Sequence, residues 1–189
     1  MANTVMKRIP REELDTHFAQ VWDTLNALTG EPAFVEAFAS APELLHFVMD
    51  EFYGKIFFGG RVEEKYKQLA RLYLSLTHGC RTCNKQNVPG SLAAGITQEQ
   101  IDNISDFETG PFDEAEKAVL AFAKTMTLTN PDGIMDSNLY SHLKAHFDDA
   151  QICELGTVMA VIGGMAKLSF VLNLVEKEDY CTFASASQG

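Results

Sequence analysis

Cysteine is scarce in this chain, with four residues in 189, and the single Cys-x-x-Cys has no second pairing to match it. That excludes a secreted disulfide scaffold and fits a reducing, cytoplasmic setting. It also leaves a structural zinc centre short of ligands, since Cys153, Cys181, His142 and His146 stand in no partner motif. Met1 to Asp15 lacks the apolar centre of a secretory signal. Ile152 to Val175, the most apolar region, is interrupted by Glu154, Lys167 and Asn173. Its longest uncharged part falls short of the roughly 18 residues of a membrane span, so a buried helix is expected there. Strict apolar–polar alternation, repeats and long Pro/Ser linkers are all missing. Basic residues are the minority, 15 against 26 acidic ones for a net charge of −11, which argues against non-specific nucleic-acid binding.

What is present is helical periodicity almost throughout, so the chain is expected to be all-α and a single domain over 1–189. Its parts are N-terminal helices over 1–58, a core over 59–178 and a frayed small-residue tail over 182–189. Glu12 to Leu28 has an apolar stripe and ends at Gly30. Phe34 to Phe38 and the aromatic-rich Pro42 to Phe58 follow, then Val62 to about Leu76. A helix from Cys80 to Ala94 contains Pro89-Gly90, where a kink or break is expected because Pro89 cannot donate to the Lys85 carbonyl. Thr97 to Gln100 is a capping-box start, Asp113 to Glu116 is another start signal, and Asp148 to Gln151 opens the long apolar helix. Asn130 to Gly133 forms a turn and Asp136 opens a further helix.

The chemistry concentrates at Cys80-Arg81-Thr82-Cys83. Two thiols three residues apart at a helix start can close a disulfide, and the free N–H groups and dipole there favour a thiolate, most strongly at Cys80. His78, two residues earlier, is a base or proton carrier, or a cap on the preceding helix. Lys65, Lys67, Arg71, Arg81 and Lys85 surround the pair and read as solvated positions; the alternative is a local positive potential that lowers a thiol pKa. Cys153 reads as core, Cys181 as incidental, and the histidines at 142 and 146 as surface or interface residues. The aromatic cluster around Phe52 and Phe57 reads as core or subunit contact.

These residues resemble the alkylhydroperoxidase AhpD-like / carboxymuconolactone decarboxylase family over roughly residues 55 to 175. The resemblance is carried by Gln68 to Leu72 leading to Cys80-x-x-Cys83, then Gly95-Ile96-Thr97, the helical segment 112–127, and Phe147 to Leu155. It implies an AhpD-like helical subunit that assembles as a homo-oligomer, a trimer or hexamer. It also implies a thiol-dependent peroxidase or disulfide reductase in which Cys83 attacks and Cys80 resolves. An external dithiol, a lipoyl group or a thioredoxin-like protein, would reset the pair, with no metal or organic cofactor. The family's proton-relay glutamate and histidine fall at Gln68 and Asn87, neither of which titrates, though both can hydrogen-bond and order a water. His78 and Glu64, one turn before Gln68, are the candidate substitutes. Two other functions fit the same sequence: a lactone decarboxylase that needs no thiol turnover, and a non-enzymatic oligomer whose thiols sense redox state.

Overall fold

The computed structural model describes residues 3–181, so the expected frayed tail lies outside the described residues. Among the described residues, nine α-helices follow one another: α1 (Thr16–Thr29), α2 (Ala33–Phe38), α3 (Pro42–His46), α4 (Glu64–His78), α5 (Arg81–Ala93), α6 (Gln98–Asp102), α7 (Glu114–Thr125), α8 (Ser137–Lys144) and α9 (Asp149–Val171). Among the described residues there is no strand, only an isolated bridge between Cys80 and Lys177. The helix starts are chemically specified. Thr97/Gln100, Asp113/Glu116 and Asp148/Gln151 each form reciprocal capping boxes, and Gly30 ends α1 with φ 69°.

The central element is α4, which packs against α5, α7 and α9. Leu69, Leu72 and Leu74 are fully enclosed, and Leu69 and Leu72 join Leu120, Leu143, Leu155 and Met159 in the main core. A second cluster of Phe18, Val35 and Leu45 holds α1, α2 and α3 together. The aromatic segment after α3 continues as a π-helix over Phe47–Phe57, burying Phe52 and Phe57 on Val158 of α9.

Four expectations are corrected. Pro89 does not break α5: the helix is continuous from 81 to 93, and Lys85 and Pro89 both lie on its solvent side, where water can take up the missing hydrogen bond. The most apolar helix is only partly buried. Ile152, Leu155, Val158, Met159 and Phe170 face inward, but Cys153, Thr157, Ala160, Gly164, Lys167 and Val171 form an exposed stripe. At 23 residues α9 is long and apolar enough to cross a membrane, with 33% of its apolar window buried. Lys67 and Arg71 are not solvated but enclosed within the bundle, 1% and 4% exposed. Cys153, expected in the core, is exposed, and Cys181, read as incidental, is buried.

Cys181 belongs to a C-terminal strap, residues 174–181, that crosses the start of α5. Its backbone exchanges hydrogen bonds with Gly79, Thr82 and the Thr82 hydroxyl, and Cys181 Sγ donates to the His78 carbonyl at 2.9 Å. Gly79 is required beneath it. Its φ is 66°, and a Cβ there would lie 2.7 Å from Cys181 Cα.

Candidate active site

The turn from α4 into α5 places the two thiols. Gly79 ends α4 in the left-handed region, and Cys80 becomes the N-cap of α5, its Sγ accepting from the Cys83 N–H at 3.2 Å. Cys80 and Cys83 are joined by a disulfide, with Cα atoms 5.2 Å apart. The sulfurs differ in access. Cys80 is fully buried under the strap against Phe170, Val175 and Cys181, whereas Cys83 is partly exposed and lines a cavity.

That cavity, about 130 Å³, lies between α1, the π-helix, α4, α5 and α9. Its wall is mostly apolar, with Leu25, Phe34, Val48, Met49 and Ile162 contributing. Arg71, Ser75, His78, Thr82 and Asn87 bring polar groups to it. Glu31 also reaches the wall, where its carboxylate accepts from the Ala33 N–H and faces Arg8 at 3.6 Å.

The six residues singled out from the sequence are thus spread over three depths. Cys83, His78 and Asn87 line the cavity, and Cys80 lies sealed behind Cys83. Gln68 and Glu64 form a chain leading away from it. Arg71 Nη2 donates to Gln68 Oε1 at 2.6 Å, and Gln68 Nε2 donates to Glu64 Oε1 at 2.8 Å. Arg71, which sequence reasoning placed in solvent, is the member of that chain that reaches the cavity. Its three-residue offset from Gln68 puts both on one helix face, which was the available signal.

His78 is 1% exposed, and its Nε2 accepts from the Leu128 N–H at 3.0 Å. The neutral ring therefore carries its proton on Nδ1. Burial pushes its pKa down to about 4. With its basic nitrogen occupied and its charge disfavoured, His78 braces the α7–α8 connection and is poorly suited to take a proton from a thiol. The positive potential around the thiols is also largely cancelled by the strap, where Glu178 meets Arg81 at 3.0 Å and Glu176 meets Lys85 at 3.1 Å.

Among the described residues, one set of side chains could hold a metal ion. His17, His46 and Asp50 bring ligand atoms within 4.8 Å of one another on the outer surface of α1 and α3. Each Asp50 oxygen already accepts from a histidine nitrogen, at 2.8 and 2.6 Å, which ties α1 to the start of the π-helix.

Comparison with known proteins supports the resemblance. Residues 42–125 match the family model of the carboxymuconolactone decarboxylase family. No functionally curated protein matches the sequence. Among solved structures, a protein of unknown function from Agrobacterium tumefaciens, provisionally assigned to AhpD antioxidant defence, is 23% identical. That match covers 71% of this chain and 91% of the other, with a TM-score of 0.62. The debrominase Bmp8 is 16% identical, with 94% of both chains covered and a TM-score of 0.74. It has also been solved as a Cys-to-Ala variant with 2,3,4-tribromopyrrole. A peroxidase-related protein from Ralstonia eutropha JMP134 with an alkylhydroperoxidase AhpD core is 12% identical, covering 94% of this chain and 95% of that one at a TM-score of 0.71. These likenesses establish an AhpD-like fold, and for the second and third they extend over nearly the whole chain.

Proposed function

We propose that this chain, with a carboxymuconolactone decarboxylase family segment at residues 42–125, is a thiol-dependent oxidoreductase that reduces peroxides or disulfides. The observation that carries the reading is the asymmetric pair: a cavity-facing Cys83 bonded to a sealed Cys80 at a helix N-terminus. In the reduced state, Cys83 thiolate attacks the distal oxygen of a peroxide ROOH. The O–O bond breaks, RO⁻ takes a proton from water to leave as ROH, and Cys83 becomes a sulfenic acid. Cys80 thiolate then attacks Cys83 Sγ, expelling hydroxide and forming the disulfide.

Resetting runs through the same asymmetry. An external dithiol, a lipoyl group or a thioredoxin-like protein, attacks the accessible Cys83 sulfur and expels Cys80 as a thiolate. The Cys83 N–H at the α5 N-terminus stabilises that leaving group. The second thiol of the reductant closes its own disulfide and frees Cys83. No relay of the family's Glu–His type is available, because Gln68 and Asn87 do not titrate. A well-placed general base is worth about 10²–10⁴-fold in rate, so peroxide turnover is expected to be slow. Glu64, at the outer end of the Gln68 chain, is the remaining titratable candidate.

A second reading is favoured by the ring-sized apolar cavity and by a fold shared with a debrominase over 94% of both chains. Here the dithiol supplies two electrons to remove a ring substituent, which departs as an anion while the ring gains a proton and the cysteines end as the disulfide. One experiment separates the readings: peroxide consumption and halide release by wild type, Cys83→Ser and Cys80→Ser with several dithiols. Loss of turnover in both variants supports the thiol cycle, and the product identifies the substrate. Full activity in both variants, or activity surviving thiol alkylation, overturns the thiol cycle.

We also propose a homo-oligomer in a reducing cytoplasm, built on the exposed stripe of α9. Glu154 is tied inward by the Arg61 and Val62 N–H groups and Lys67, and Lys167 stands on the stripe itself, so protein is a better occupant for that face than lipid. Light scattering giving a 20.9 kDa particle at micromolar concentration would refute this.

A further inference from the structure

Arg71 is a charged side chain, 4% exposed, on the wall of the cavity that Cys83 borders. Its direct partners are uncharged, and the Glu64 carboxylate acts on it only from beyond Gln68. Nη2 donates to the neutral Gln68 amide, the Tyr53 hydroxyl lies within hydrogen-bond reach, and Phe57 stacks beneath the guanidinium at 4.8 Å from the ring centroid. Among the described residues no carboxylate lies within ion-pair distance, and Nε has no acceptor. Burial pushes its pKa down from the ordinary value, yet a guanidinium stays protonated at neutral pH. The fold keeps room for the group, because a Cβ on Gly90 would lie 2.9 Å from Arg71 Nη2. Glu31, the other charged group on the wall, is matched by Arg8.

We infer that Arg71 is the recognition residue for an anionic oxygen group, a carboxylate, on a small apolar ligand of this cavity. Arg71 borders the cavity and its Nε–H has no acceptor in the protein, and a guanidinium is suited to receive a carboxylate through two parallel hydrogen bonds. The space next to it is apolar and of one-ring size: about 130 Å³, against the roughly 150 Å³ of a cavity that takes up benzene. The ligand class is therefore a ring-sized or short-chain organic acid, its carboxylate on Arg71 and its body against Val48, Met49 and Ile162. This deepens the proposed function, since it rests on the cavity beside Cys83 being the substrate pocket.

The test is calorimetric titration of the disulfide form of the full chain with benzoate and with benzamide, which differ in charge and little in shape. Binding to the oxidised protein needs no turnover, so it can fail while the thiol chemistry stands, and the thiol chemistry can fail while it succeeds. Benzoate is expected to bind about 10- to 100-fold more tightly than benzamide, the value of hydrogen bonds to a charged partner. Arg71→Met should remove that preference while leaving benzamide binding within a few-fold. Equal affinity of the two probes for wild type, no detectable benzoate binding, or an unchanged preference in Arg71→Met would each overturn the assignment. Should Arg71→Met fail to fold, the wild-type comparison decides alone.

Discussion

The two ends of one turn of α4 treat a buried cation in opposite ways. Lys67 is 1% exposed and fully answered: its ammonium donates to the Ile56 carbonyl at 2.8 Å and to Glu154 at 3.3 Å. Burial alone would raise the Glu154 pKa, but the Val62 and Arg61 N–H groups and Lys67 hold it below the usual carboxylate value. Four residues on, Arg71 is also enclosed, with only neutral groups in direct contact and Glu64 acting from beyond Gln68. A charge out of water costs several kcal/mol unless matched. The first site closes its account within the chain and the second does not, so the first is structural and the second is open to a ligand. His78, further along the same helix, shows a third solution, giving up its proton.

The comparison breaks most forcefully if Glu154 is neutralised. Glu154→Gln would turn the Lys67 site into a second unmatched cation, this time without a cavity. The expected loss is about 3–5 kcal/mol, the cost of breaking a buried pair from one side. Urea unfolding measures it, and a loss below about 1 kcal/mol would mean that Lys67 is solvated after all.

His78 sharpens the comparison through pH. Its folded pKa, about 4, lies below the 6.5 of the unfolded chain. The unfolded state therefore binds the extra proton between these values, and the stability due to neutral burial is present above pH 6.5 and is lost as pH falls toward 4. His78→Gln keeps an acceptor for the Leu128 N–H but does not titrate. Between pH 7 and 4.5 the wild-type Tm should fall by roughly 5 °C more than that of the variant. Parallel curves would show that the imidazole is hydrated.

The smallest effect is expected at Arg71. Arg71→Met removes an unmatched charge and keeps most of the apolar volume, so stability should change by no more than about 1 kcal/mol. A loss comparable to that of Glu154→Gln would make Arg71 structural and erase the distinction between the two ends.

Much of the scaffold was legible because it is written locally. Thr97, Asp113 and Asp148 announce their helices by capping chemistry, and Gly30 announces an end, since these signals act within one turn. The Cys80–Cys83 pair was legible for the same reason. What escaped depends on neighbours distant in sequence. Arg71 and Lys67 look like solvated helix positions until Ile56, Phe57 and Glu154 surround them. Pro89 reads as a breaker until its solvent-side placement is known. Cys153 and Cys181 differ in burial because of where α9 and the strap lie, which their flanking residues do not encode. The apolar sequence of α9 says that the helix packs, but not that its face from Cys153 to Val171 stays exposed.

The strap has a consequence for the order of events during synthesis. Thr82 and Glu176, whose backbones meet over the sealed sulfur, are 94 residues apart. At translation rates of about 5–20 residues per second, roughly 5–20 seconds separate the appearance of the thiols from that of the segment that encloses one of them. Through that interval the nascent chain presents two open cysteines of similar access. The division of labour between them is acquired late, only once residues 174–181 have been made.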